Sequence, residues 1–211
     1  MNIMLFVLFV FSALCVRPVS QANAEAKLLD SCCVGAYRFA DGSVVDIARS
    51  EGDTLRWRKF DGTTGALHKK ENDSWRSTFG WTDRPDGHTV SFSDCGISEI
   101  EFDGKKARRI PFDVTDTLFE GRGGVKLAGR LVLPEGKDPV PIMVLVHGAE
   151  RESARESYAL QRLLPAENVG VFVYDKRGTG GSEGKYTQDF DTLADDAVVA
   201  MREAKRIAAE R

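Results

Sequence analysis

The residues of this chain that could do chemistry sit in two short polar loops. His147-Gly148-Ala149 follows the apolar run 140–146, and Asp175-Lys176-Arg177-Gly178-Thr179-Gly180-Gly181-Ser182 follows the apolar run 169–174. A glycine at a strand end lets backbone approach a ligand closely. Gly180-Gly181-Ser182-Glu183-Gly184 also spells G-x-S-x-G, the pattern of a nucleophilic serine on a sharp strand-to-helix turn. Ser182 fails the physical requirement behind that pattern. The loop runs on through Lys185, Tyr186 and Thr187 before helical spacing begins, and no histidine follows His147. The glycines fail as a phosphate loop too. Thr179 stands where the Walker pattern needs Gly, Tyr186 where it needs Ser or Thr, and Glu183 where a dinucleotide fingerprint begun at Gly178 needs its last Gly.

The elements that must position these loops are legible around them. The runs 140–146 and 169–174 read as strands covered on both faces. The segment 153–164 reads as a helix, with Pro165 near its end. Upstream, 114–120 and 125–133 read as a hairpin around Gly121-Arg122-Gly123-Gly124. Downstream, Phe190, Leu193, Ala194, Ala197, Val198, Met201, Ala204 and Ala208 recur at helical spacing. Asp191, Asp195 and Asp196 lie early in that helix, and Arg202, Lys205 and Arg206 late, which suits the helix dipole. The order is β-β-β-α-β-α.

The first half follows a different rule. Short alternating runs at 35–39, 43–48, 54–60, 88–93 and 97–102 are broken by Asp41-Gly42, Asp61-Gly62, Asp86-Gly87 and Asp103-Gly104. Those dipeptides turn tightly because Gly accepts positive φ. The pattern predicts an antiparallel β domain over 25–106, a curled sheet or small barrel. Its aromatics, among them Tyr37, Trp57, Phe60, Trp75, Trp81 and Phe102, are expected to form the core of that sheet, with a ligand pocket as the alternative. Lys69, Lys70, Lys105, Lys106, Arg108 and Arg109 read as solvated surface.

Composition narrows the partners. A net charge of -3 with no basic cluster excludes a dominant nucleic-acid surface. The apolar run 3–16 closes on Arg17, Pro18 and Ser20, and Ala22-Asn23-Ala24 resembles a cleavage site. Residues 1–24 therefore read as a signal peptide, implying export to the periplasm or outside. After cleavage no membrane span remains; an uncleaved anchor is the alternative. Cys32, Cys33 and Cys95 would survive cleavage, and Cys95 could bridge to either of the other two or all could stay reduced. His68, His88 and His147 are far apart, and no Cys/His spacing suggests a metal.

Strand-HG, helix, strand-YDKRGTGGSEG and helix, in that order after a hairpin, resemble the amino-terminal portion of an α/β-hydrolase. The nearest group is the serine aminopeptidase and esterase-like hydrolases with a D-x-R-G-x-G-x-S loop. The resemblance covers 112–211. It implies an α/β fold with an incomplete hydrolase sheet behind an amino-terminal antiparallel β domain, and hydrolysis of an ester or amide in a small molecule or peptide without metal or cofactor. It assigns the oxyanion loop to Gly148 and Ala149, with the Ala149 N–H as donor. It gives supporting roles to His147, Asp175, Arg177, Gly178, Gly180 and Ser182, the Asp175 loop bracing the site through backbone turns and an Arg–Asp contact. In the family a further strand carries the nucleophile, and later loops the acid and base. The chain as given is accordingly expected to be inactive, with 169–174 an unprotected apolar edge and the second half poorly soluble. The alternative function is a ligand- or partner-binding β module joined to a vestigial hydrolase half.

Overall fold

Alternating side chains and glycine turns close the first half into a barrel. The computed structural model describes residues 33–50, 54–70, 74–93, 98–136 and 138–210. The expected signal peptide, Cys32 and Cys95 lie outside the described residues, and Cys33 is buried in the barrel core. The barrel strands are β1 (Gly35–Phe39), β2 (Val44–Arg49), β3 (Leu55–Arg58), β4 (Thr64–Lys69), β5 (Trp75–Phe79), β6 (Pro85–Phe92), β7 (Glu99–Phe102) and β8 (Lys105–Arg109). Each pairs antiparallel with the next, and β8 pairs back to β1.

Three turns use one device or its mirror. Asp41 and Asp61 each accept the backbone N–H two residues on, from Ser43 and Thr63, while Gly42 and Gly62 take positive φ. Asp103 and Gly104 both take positive φ, as the tight β7–β8 hairpin requires. Asp86-Gly87, expected to be a turn, instead lies inside β6 beside an irregularity in the β5–β6 register. Asp86 is held there by Ser77 Oγ at 2.7 Å.

Strands β4, β5 and β8 carried no clear expectation from sequence. In β8 (KKARR) only Ala107 is buried, because a barrel strand needs one apolar face and its outer side can be all basic. The barrel therefore ends at Arg109 rather than Lys106. Arg109 is not solvated surface: its guanidinium donates to Val34 O and to Tyr37 Oη, at 2.5 and 2.8 Å. Tyr37, Val45, Ile47, Leu55, Trp57 and Phe102 fill the interior with their neighbours. The aromatics divide, however. Phe60, Phe79 and Trp81 stand exposed on the outside.

Strand β2 is buried on both faces. Val45 and Ile47 point into the barrel core, and Val44 and Asp46 face the second half of the chain. There Val44 and Ala36 pack on Ala159, Leu163 and Ala166. Asp46, fully buried, accepts two hydrogen bonds from Arg162, at 2.5 and 3.0 Å. Arg38 adds a hydrogen bond to Ala166 O, and Arg58 one to Ser157 O at 3.2 Å. The two halves are thus bolted by a buried ion pair inside an apolar seam.

The second half is a four-stranded sheet of order β11-β12-β10-β9. Strands β9 (Phe112–Glu120) and β10 (Lys126–Pro134) form the expected hairpin, β12 (Gly170–Tyr174) pairs antiparallel with β10, and β11 (Ile142–Leu145) pairs parallel with β12. Helix α3 (Phe190–Ala209) covers one face. The expected single helix over 153–164 is broken into α1 (Ala154–Ser157) and α2 (Leu160–Leu163), because Tyr158 is extended between them.

Two further expectations change. Strand β12 is not an edge: it lies between β11 and β10, and every residue of it is buried. The edges belong to β9 and β11, and on β11 Met143 is exposed, together with Val146 just beyond it. The face of α3 is also rotated from the one read in sequence. Asp196, Ala200, Ala204 and Ile207 are buried, while Phe190, Val198 and Met201 are exposed. Asp189 caps the helix by accepting the Thr192 N–H at 2.7 Å. Among the described residues no helix is long and apolar enough to cross a membrane.

Two outcomes test this arrangement. Arg162→Met strands the buried Asp46 carboxylate and should cost about 3–5 kcal/mol in urea unfolding. The double replacement Asp46→Leu, Arg162→Met should regain most of that loss. Met143→Lys, placed on the β11 edge, should raise the concentration at which the protein aggregates, read by light scattering, with little change in unfolding midpoint.

Candidate active site

Both loops are built at the carboxyl ends of the parallel pair β11 and β12, where such sheets present their sites. The 147–150 loop is gripped at three backbone atoms. Gly148 N–H donates to Tyr158 Oη at 3.2 Å, Lys176 Nζ donates to Gly148 O, and Tyr186 Oη donates to Ala149 O at 2.6 Å. The Ala149 N–H makes no hydrogen bond to the described residues. The Ala149 N–H is therefore an open donor on a loop clamped at three neighbouring backbone atoms.

Gly148 has ordinary φ, and a side chain there would meet the Glu150 carboxylate at 2.8 Å. Glu150 also accepts from Tyr158 Oη at 3.4 Å, so Tyr158 spans the loop from Gly148 to Glu150. Burial holds the Tyr158 phenol above its ordinary pKa, which keeps it a neutral donor and acceptor.

His147 is buried, and its Nε2 accepts the Lys176 N–H at 3.0 Å. The ring proton must then sit on Nδ1, which has no hydrogen-bond partner among the described residues. Burial pushes the His147 pKa down, and the Lys176 charge adds to the shift. His147 ties the end of β11 to the start of the second loop. His68 and His88 lie on β4 and β6 of the barrel, where His88 pairs with Asp103 at 2.6 Å.

The second loop is organised by Asp175, whose carboxylate is fully buried and receives four donors. Oδ1 accepts from Ser153 Oγ at 2.8 Å and Arg155 N at 3.2 Å; Oδ2 accepts from Arg155 Nε and Gly181 N, each at 3.0 Å. The loop makes its Arg–Asp contacts with neighbouring elements: Asp175 pairs with Arg155 of α1, and Arg177 pairs with Asp196 of α3 at 2.7 and 2.8 Å. Ser182 Oγ donates to Asp175 O at 2.5 Å and accepts from Ala128 N at 2.9 Å, pinning the loop to β10.

Two glycines are required by crowding. A Cβ on Gly178 (φ 69°) would lie 2.1 Å from Tyr186 N, and one on Gly180 (φ 48°) would lie 2.2 Å from Asp175 Oδ2. Sequence reasoning missed Tyr158, Tyr186 and Arg155, since single tyrosines and an arginine in a helical segment carry no spacing signal. Among the described residues no group of three or more His, Cys, Asp or Glu is placed to hold a metal ion.

Parallel strands carrying an HG loop and a glycine-rich Asp–Arg loop lie next to an antiparallel hairpin in one mixed sheet with a helix over one face. Residues 137–211 match the family model described as serine aminopeptidase, S33, of the α/β-hydrolase superfamily. The match spans both loops and bears out the resemblance read from them. None of the curated proteins matches this chain.

The depressed His147 pKa has a sign that can be checked. The folded state disfavours the imidazolium, and protonating Nε2 would break the bond to Lys176 N–H. The stability from this group is therefore complete above its ordinary value of 6.5 and is lost as pH falls through the lower folded value. Urea midpoints should drop between about pH 7 and 5. His147→Gln, starting less stable, should lose less across that interval.

Proposed function

We propose that the second half of this chain is the carbonyl-binding side of a serine hydrolase acting on an ester or amide. The observation that carries this reading is the open Ala149 N–H, held at the end of β11 by clamps on both flanking carbonyls and on the Gly148 N–H. A donor fixed in advance stabilises a developing oxyanion without reorganising, and losing one typically costs roughly 2.7–4 kcal/mol of barrier. His147, Asp175, Arg177, Gly178, Gly180 and Ser182 hold the two loops in register and take no part in bond making.

Ser182 is not the nucleophile in this reading. Its hydroxyl is spent on Asp175 O and Ala128 N, and none of the three histidines is hydrogen-bonded to it. In this reading the nucleophile, acid and base are not among the described residues. The apolar run 3–16 supports export, so the substrate is met outside the cytoplasm.

The test has two arms. The chain alone should show no turnover of p-nitrophenyl acetate above background, and Ser182→Ala should change nothing; turnover abolished by Ser182→Ala would overturn the assignment. In ¹⁵N–¹H spectra, titration with methylphosphonate, an anion shaped like a tetrahedral intermediate, should shift the Ala149 amide and leave Gly148 nearly still. No shift at Ala149 at saturating anion would remove the oxyanion reading.

A further inference from the structure

A cavity of about 790 Å³ lies outside the barrel in the cleft between it and the 150–163 segment. Three of the exposed large apolar side chains, Phe60, Trp81 and Leu160, line this one cleft from both halves of the chain. Apolar surface gathered in a concave site is the ordinary mark of a ligand pocket. The barrel interior, by contrast, is filled by its own side chains.

The cleft is held in shape. Trp81 is 72% exposed, yet the Arg56 guanidinium lies 3.6 Å over its ring and itself donates to Gly80 O at 2.6 Å. An indole backed this way is a fixed platform rather than a loose surface side chain. Arg58 reaches across to Ser157 O and ties the two walls together.

The walls differ in charge. The barrel wall carries Arg49 and Lys59, neither of which forms an ion pair with the described residues. Lys59 Nζ stands 5.6 Å from the Trp57 ring and 5.5 Å from that of Phe102, at the barrel's rim. The facing wall carries Glu150, Glu152 and Glu156. An anionic group is drawn to the barrel side and repelled from the other, so the charges set a direction. Glu150, next to Ala149, places this cleft beside the clamped loop.

We propose that the cleft binds an apolar amino-acid or short-peptide carboxylate. The aromatic or branched side chain lies on Trp81 and Phe60, the carboxylate meets Lys59 and Arg49, and the amide carbonyl points toward the 148–149 loop. The barrel is then the specificity wall of the hydrolase half. Only the direction of the carbonyl rests on the reading of Ala149; binding stands on the cleft alone.

The full chain is titrated with N-acetyl-phenylalanine, N-acetyl-phenylalaninamide and phenylalanine methyl ester, by calorimetry and by tryptophan emission. The acid should bind about fivefold tighter than the amide, the scale of one exposed ion pair, and the cationic ester most weakly. Lys59→Gln should bring the acid down to the affinity of the amide. Trp81→Ala should weaken acid and amide alike, by about tenfold, with unchanged thermal unfolding, since the residue is exposed. Equal binding of acid and amide, tightest binding by the ester, or indifference to Trp81→Ala would each overturn the proposal. Binding in the cleft without a phosphonate-induced shift at Ala149 would sink the oxyanion reading and keep this one. The reverse pattern would sink this one alone.

Discussion

The buried carboxylate of Asp175 is the constraint on which the second half depends. An ionised carboxylate stripped of water is costly unless donors surround it, and four converge here, three from Ser153 and Arg155 and one from Gly181. Ser153 and Arg155 are thereby drawn to the end of β12, which places α1 and with it Tyr158. Gly180 must be glycine because the same carboxylate fills the space of a side chain. Ser182 turns back to the Asp175 carbonyl and fastens the loop to β10. The 148–149 loop inherits its shape from this centre through Tyr158, Lys176 and Tyr186.

A second buried carboxylate does the same work between the halves. Asp46 sits on the outward face of a barrel strand and would be unpaired if the barrel stood alone. Arg162 answers it, and the apolar seam of Ala36, Val44, Ala159 and Leu163 excludes water around the pair. The cleft beside the candidate site follows from that docking: its barrel wall and its helix wall come from segments about a hundred residues apart. The barrel is thus a structural partner of the second half, not an appended bead.

Sheet order explains why β11 rather than β12 is an edge. Strand β12 follows β11 in sequence but sits inside it, against β10, so the later strand is protected and the earlier one exposed. The buried run at 170–174 and the half-exposed run at 142–145 look alike in composition. Only their neighbours distinguish them. The same holds for α3, where two apolar stripes compete at helical spacing. Arg177 decides between them, because its partner Asp196 must face inward.

The sequence by itself determined what depends on local chemistry. Glycine turns with positive φ, the β9–β10 hairpin, two strand-and-loop units and their likeness to a hydrolase family were all legible, because each is written in contiguous residues. The strands β4, β5 and β8 were less so, since barrel closure asks of them only one inward apolar side. Tertiary structure alone decided which arginine met which aspartate, which strand became the edge, and which donor on the 147–150 loop stayed open. It also decided that Phe60 and Trp81, read as core, would face Leu160 across a cleft. Those outcomes depend on pairing and burial between segments far apart in the chain, and no local pattern encodes the neighbour that a side chain will find.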